Sequence, residues 1–255
     1  MILTADIGNT HIHFGLFDKK DLVLKLELSS ATPRSSDEYF LFLSSMLSDK
    51  ETPDASIISS VVPSVTDPVR LALKRITGTD PITVGPGVKT GFNIKLDSPS
   101  ELGADIAANT AAVIDIFAEP TVFVDFGSAT VISAIDVSLS LASVIIMPGI
   151  RMGLDALSDT GLLPGVFSDK NLPSLPKNTS DSMRCGVIRG TAISVKGFYD
   201  HLKRALSLPE NTKLVVSGGL AEYVIPFLPK ETILVSDLTL KGLEAIYRYS
   251  TEKKR

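Results

Sequence analysis

Two segments of this chain end an apolar β-type run on an acid and then turn through a glycine and small polar residues. They are Asp6-Ile7-Gly8-Asn9-Thr10 and Asp125-Phe126-Gly127-Ser128-Ala129-Thr130. A third glycine turn, Ser217-Gly218-Gly219, follows the apolar Leu214-Val215-Val216. The chain must therefore fold so that strands deliver glycine turns next to carboxylates. Such turns suit a polyphosphate, which needs closely approaching backbone N–H groups, short hydroxyls and a carboxylate for its metal. The pattern points to a protein that grips a nucleotide.

The remaining composition narrows the partners. With 255 residues, 44% hydrophobic and 21% charged, the chain can bury a core for one large or two modest domains. A formal charge of −4 gives no footprint for nucleic acid, and the one basic cluster is the terminal Lys253-Lys254-Arg255. Cys185 is the sole cysteine, which rules out an intramolecular disulfide or a paired-cysteine metal site and suits a reducing cytoplasm. The N-terminus has no basic leader region and no apolar run approaches a bilayer span. The expectation is a cytoplasmic protein with small-molecule partners, no nucleic acid and no membrane.

The pattern of elements repeats. Residues 2–7, 11–17 and 22–28 alternate as three strands of a meander, followed by a helix over 35–47, a strand over 55–59, a helix after Pro63 and a strand over 81–84. Ser98 with Glu101 three residues later reads as a capping box, and Pro99 as a first helical residue, so a helix is expected through the alanine-rich 103–117. Strands over 121–124, 131–136 and 141–147 begin a second round. Helices over 149–159 and 180–207, a strand at 213–216, a short helix at 222–227, a strand at 232–235 and a closing helix at 238–249 complete it. The expected division is two halves, 1–118 and 119–255, with Glu119-Pro120 as the only punctuation and 162–177 as a loop or flap. This layout resembles the actin-like ATPase superfamily. The resemblance implies an α/β, duplicated actin-like (ribonuclease H-like) fold of two mixed five-stranded sheets with flanking helices around a cleft, with Asp6 and Asp125 facing one nucleotide.

Individual residues fit this chemistry to different degrees. Asp6 could hold magnesium through water while Asn9 and Thr10 donate to phosphate oxygens; the other reading is a plain Gly-Asn hairpin turn. Recurrence of the acid-glycine-hydroxyl turn at Asp125 favours the functional reading. Asp105, lodged among Ala104, Ala107, Ala108, Ala111 and Ala112 and expected in the second turn of its helix, is either a solvent-stripe residue or the general base that phosphoryl transfer to an alcohol requires. Ser217-Gly218-Gly219 suits a backbone approached by a flat purine or ribose. The glycines of 85–91 lack the spacing of a P-loop or a dinucleotide fingerprint and read as a loop. His11 and His13 share a strand face without a third histidine nearby, which favours a sheet-face role over a metal pair, and Cys185 reads as packing.

Taken together the segments resemble the type III pantothenate kinases. The resemblance is carried by Asp6 to Thr10 with Phe14-Gly15-Leu16-Phe17, by Ser59-Ser60-Val61-Val62-Pro63, by Thr90-Gly91 and by Asp97-Ser98-Pro99-Ser100-Glu101-Leu102-Gly103-Ala104-Asp105. It continues through Asp125 to Thr130, Pro148-Gly149-Ile150, Leu163-Pro164, Asn178-Thr179, Gly186 with Gly190, Ser217-Gly218-Gly219 and Leu238-Thr239-Leu240-Lys241-Gly242-Leu243. It implies ATP-dependent phosphorylation of pantothenate at its primary hydroxyl in a homodimer, with magnesium and a potassium or ammonium ion. Asp105 would be the base. Asp6 (magnesium, via water), Gly8, Asn9, Thr10, Gly127, Ser128, Thr130, Ser217, Gly218 and Gly219 would serve ATP and its phosphates. Gly103, Ala104, Ile106 and, across the dimer, Thr179 would serve pantothenate, and Asp125 is similar to the monovalent-cation ligand. The family usually reads Gly-Ala-Asp-Arg where this chain has Gly103-Ala104-Asp105-Ile106. That departure leaves a second reading open, a paralogue that binds nucleotide without pantothenate turnover or phosphorylates another small alcohol.

Overall fold

The computed structural model describes residues 1–32, 34–158 and 171–251, and in it the chain forms two mixed sheets of five strands with the same order. The first contains β1 (Ile2–Ile7), β2 (His11–Asp18), β3 (Asp21–Ser29), β4 (Ala55–Ser60) and β5 (Ile82–Thr83), arranged β3-β2-β1-β4-β5. The second contains β6 (Thr121–Phe126), β7 (Ala129–Ile135), β8 (Leu141–Pro148), β9 (Lys213–Ser217) and β10 (Ile233–Leu234), arranged β8-β7-β6-β9-β10. In each sheet three strands joined by short turns pair antiparallel. The fourth and fifth join parallel on the far side of the first strand. Connectivity dictates this, since a tight turn can only reverse a strand, whereas a parallel neighbour needs a crossover that a helix fills. The duplication of elements is thus a duplication of topology, and the fold is actin-like.

The chain gathers into two units. Unit 2 comprises 94–96 and the described part of 119–237, and unit 1 the other described residues. In unit 1, Leu3, Ala5, Ile7, Ile12, Phe14, Leu16 and Ile58 pack one sheet face against α1 (Ser36–Met46) and α2 (Pro63–Thr77), which contribute Tyr39, Leu43, Val65, Val69, Ala72 and Leu73. Ser35 caps α1 through a reciprocal bond with Glu38, and α2 opens on Pro63 and stops at Gly78 with φ of 73°. The opposite face is covered by α3 (Ala104–Phe117) and α8 (Leu238–Thr251), whose Ala104, Ala107, Ala108, Ala111, Leu243, Ala245 and Ile246 form one core with Ile57 and Val84.

Two expectations change here. The closing helix, placed by sequence with the second half, packs in unit 1, because Gly242 brings the backbones of α8 and α3 together: a Cβ at 242 would lie 1.8 Å from the Ala108 carbonyl oxygen. Conversely, Lys95 N–H donates to the Leu141 carbonyl at 2.8 Å, and 94–96 go with unit 2. The Ser98 capping box is also absent. Glu101 N–H bonds the Ser98 carbonyl at 3.0 Å in a single 3₁₀ turn, Pro99–Glu101, and the extended backbone of Leu102 separates that turn from α3. The Ser98 side chain makes no capping bond, and Gly103 is the residue that precedes α3.

In unit 2, Val122, Val124, Phe126, Ile132, Ala134, Leu214 and Val216 face α4 (Ile150–Ser158), the helical run 179–205 and α7 (Ala221–Val224). That run is α5 (Thr179–Arg184), a wider π turn at Cys185–Arg189 and α6 (Gly190–Ala205), with helical backbone kept at both joints. Cys185 is buried there. Leu163-Pro164, most of the expected flap and Lys253-Lys254-Arg255 lie outside the described residues.

One ion pair in unit 2 has a pH signature. Asp136 is 7% exposed and receives bonds from Lys95 Nζ at 2.5 Å, Ser138 Oγ at 2.7 Å and the Ser140 N–H at 3.1 Å. Burial opposes its ionisation, but the Lys95 ammonium and the Ser138 and Ser140 donors outweigh burial and lower its pKa to about 2. A folded pKa below the unfolded one means that the contribution is complete above about pH 4 and fades as pH falls toward 2. Asp136→Asn is expected to lower unfolding free energy by about 2 kcal/mol at neutral pH, with the gap from the parent closing near pH 2. Denaturant titrations at the two pH values check this, and a gap that does not depend on pH would contradict it.

Candidate active site

In unit 1 the site residues sit at the end of β1 and the start of α3. Side chains alternate along a strand, so with Ala5 and Ile7 on the α1/α2 face, Asp6 points to the face that α3 and α8 cover. Its register partners are His13 on β2 and Ser59 on β4. The turn after it is fixed by backbone bonding: Gly8 N–H donates to the His11 carbonyl at 2.9 Å, and Ser30 donates its hydroxyl to the Gly8 carbonyl at 2.6 Å and its N–H to the Thr10 carbonyl at 2.9 Å. Asn9 and Thr10 remain exposed. Ser30, just after β3, is therefore a positioning residue for this turn that the sequence did not single out. Its only signal was its place opposite the turn in the meander.

Asp105 occupies the first turn of α3, not the second, because the helix begins at Ala104. It is half-buried, and one carboxylate oxygen accepts the Ile106 N–H at 2.9 Å, which satisfies one of the donors that a helix start leaves open. The positive end of the helix dipole favours a negative group at this place. Gly103 serves the same carboxylate: a Cβ at 103 would lie 2.5 Å from its oxygen, so any larger residue would push the acid aside. Ala104 is buried in the α3/α8 core, and Ile106 is half-buried.

In unit 2 three segments meet around Asp125. Gly218 has φ of 96°, and a Cβ on it would lie 2.5 Å from both an Asp125 carboxylate oxygen and the Phe126 carbonyl. Leu220 N–H bonds that carbonyl at 3.2 Å, which ties the Ser217-Gly218-Gly219 turn to β6. Gly149 is required as well, since its Cβ would meet the Ser128 carbonyl at 2.0 Å. Ser217 is buried beside Asp125 as its register partner, whereas Ser128 and Gly219 are exposed.

Thr130 departs from expectation. It pairs with Phe126 and alternates with Ile132 and Ala134, so its side chain joins the face that forms the unit 2 core. It is fully buried, and its hydroxyl has no hydrogen-bond partner among the described residues. Only Gly127, Ser128 and Ala129 stand between the paired Phe126 and Thr130, and that loop length sets the parity. Thr179 opens α5 and is exposed, with Asn178 capping the helix by accepting from Asp181 N–H.

The remaining polar candidates have structural explanations. His11 and His13 flank Glu27 of β3, at 3.6 Å and 3.4 Å from its carboxylate. No group of three or more His, Cys, Asp or Glu side chains is gathered as a metal site among the described residues. The 85–91 segment is a loop, with Gly91 under the Tyr249 ring and the Lys89 carbonyl bonded by Ser250 at 2.9 Å. No helix among the described residues is long and apolar enough to cross a membrane.

Comparison with known proteins bears on this arrangement. Residues 2–201 match the family model described as type III pantothenate kinase. A type III pantothenate kinase of Halalkalibacterium halodurans is 36% identical over 256 residues, which cover 97% of this chain and 99% of that protein. Among solved structures, one described as a Baf family transcriptional activator from Campylobacter jejuni superposes with a TM-score of 0.61 at 23% identity, covering 96% of this chain and 97% of the other. Component A of (R)-2-hydroxyglutaryl-CoA dehydratase from Acidaminococcus fermentans gives 0.56 at 12% identity, covering 97% of each chain. These two structures speak to the fold alone.

Proposed function

We infer that this chain, which belongs to the type III pantothenate kinase family, uses ATP to phosphorylate the primary hydroxyl of pantothenate to 4'-phosphopantothenate, the first step of coenzyme A biosynthesis. The observation that carries this reading is likeness to a pantothenate kinase over almost the full length of both proteins. The family implies use of ATP and a divalent metal.

In this reading Asp105 is the general base. Its place in the first turn of α3, with Gly103 leaving room for the carboxylate, supports a group held to meet a hydroxyl and take its proton as phosphate transfers. Asp6, Gly8, Asn9 and Thr10 serve the phosphates, with Asp6 holding magnesium through water. Gly127 and Ser128 offer a second phosphate turn, and Ser217, Gly218 and Gly219 take the nucleoside side of ATP. A carboxylate beside a glycine turn fits a hard cation that keeps most of its waters and shares its remaining ligands with phosphate. Magnesium, when bound, offsets charge on the phosphates. Asp125, cradled by Gly218, takes the potassium or ammonium ion.

The active species is proposed to be a cytoplasmic homodimer, with Thr179 contributing to the partner's pantothenate pocket. Ile193 on α6 is 73% exposed and Ile146 on β8 is 68% exposed, apolar surface of the kind that an interface would cover. The second reading, a nucleotide-binding paralogue without turnover, rests on Ile106 and on Leu96, which stands where an aromatic residue is common, and the likeness in sequence favours the enzyme.

Ile106 also provides the test. An arginine there would restore a bidentate partner for the pantothenate carboxylate, an interaction worth roughly 1.5 to 3 kcal/mol, or about ten- to hundredfold in binding. In a coupled assay with ATP, magnesium and potassium, the parent should turn over pantothenate in preference to small sugars, and Ile106→Arg should lower KM for pantothenate by about that factor. A flat response across alcohols in both forms would count against the assignment.

A further inference from the structure

In both units the acid near the end of the first strand pairs in register with a serine near the end of the fourth: Asp6 with Ser59 across β1 and β4, Asp125 with Ser217 across β6 and β9. Register partners present their side chains to the same face one strand apart, about 5 Å. Ser217 already belongs to a ligand turn. Ser59 is its counterpart by the internal duplication. It is fully buried, and its hydroxyl has no hydrogen-bond partner among the described residues.

Its neighbour supplies the contrast. The Ser60 hydroxyl lies 2.6 Å from Thr66 Oγ1 and accepts the Val62 N–H at 3.1 Å, which ties the end of β4 to α2. A buried hydroxyl without a partner lowers stability compared with an alanine, so a serine at 59 needs another use. We propose that Ser59 is a second anchor of the Asp6 site, its hydroxyl hydrogen-bonding a water in the shell of the divalent cation that Asp6 holds. This rests on the reading of Asp6 as the magnesium residue.

The experiment compares Ser59→Ala, Ser59→Cys and Ser60→Ala with the parent, and uses Asp6→Asn as the reference. Thermal melting of the ligand-free protein and calorimetric titration with ATP, with and without magnesium, are the readouts. Both Ser59 variants should melt at or above the parent temperature and bind magnesium–ATP about three- to tenfold more weakly, with magnesium-free ATP binding unchanged. Ser60→Ala should melt lower and keep its magnesium dependence. Ser59 variants that melt lower with unaltered affinity would assign a structural role and overturn the proposal, and unaltered melting and affinity together would do the same. If Ser59→Ala does not fold, Ser59→Cys, which preserves the side-chain shape, decides. Full magnesium dependence in Asp6→Asn would instead remove the underlying reading of Asp6, and the inference with it.

Discussion

Asp105→Asn is expected to lower kcat for pantothenate phosphorylation by about 10²- to 10⁴-fold while leaving nucleotide affinity in place. The two side chains have nearly the same shape, and the asparagine oxygen can still accept the Ile106 N–H that the carboxylate accepts at 2.9 Å, so the start of α3 is retained. What disappears is the capacity to take a proton from the attacking hydroxyl. Single-turnover experiments with saturating magnesium–ATP isolate that step. Comparable rates in the two proteins would remove the base assignment, whereas a parallel loss of ATP binding would point to a collapsed site.

The largest effect on stability is expected from Gly242→Ala. Within a helix this change ordinarily favours folding by about 1 kcal/mol. At 242 the new Cβ would lie 1.8 Å from the Ala108 carbonyl oxygen and 2.4 Å from its carbon, and neither atom can rotate away as a side chain would. α8 must then back off from α3, opening the core that Leu243, Ala245 and Ile246 share with Ala104, Ala107 and Ala108. We expect a loss of about 3 kcal/mol or more, read as a fall in melting temperature of roughly 10 °C for a chain of this size. A variant that melts with the parent would show that the two helices do not meet this closely. Activity should also fall, because α3 carries Asp105.

Much of this was legible locally. The meanders β1-β2-β3 and β6-β7-β8 follow from period-two alternation and short polar turns, and Asp6 and Asp125 stand out because the acid-glycine turn recurs at the equivalent point of each half. Other features misled for physical reasons. Ser98 and Glu101 have the spacing of a capping box, but the same spacing serves a 3₁₀ turn, and the extended Leu102 decided between them. Thr130 has the composition of a phosphate ligand, yet loop length places it on the core face. Ser59 gave no separate signal within Ser59-Ser60-Val61, because its distinction from Ser60 lies in the partners that surround each hydroxyl.

The sequence by itself determined the duplicated order of strands and helices, the acid-glycine turns and the family, since these depend on residues within a few positions of one another or on whole-chain likeness. Tertiary structure alone decided that α8 packs with α3, that Gly149 and Gly218 must be glycines, and that Asp105 begins its helix in a space kept open by Gly103. The first two depend on backbone atoms distant along the chain meeting at van der Waals distance. The third depends on where a helix stops and starts, which the competition between two turn types settles only when the chain around them is folded.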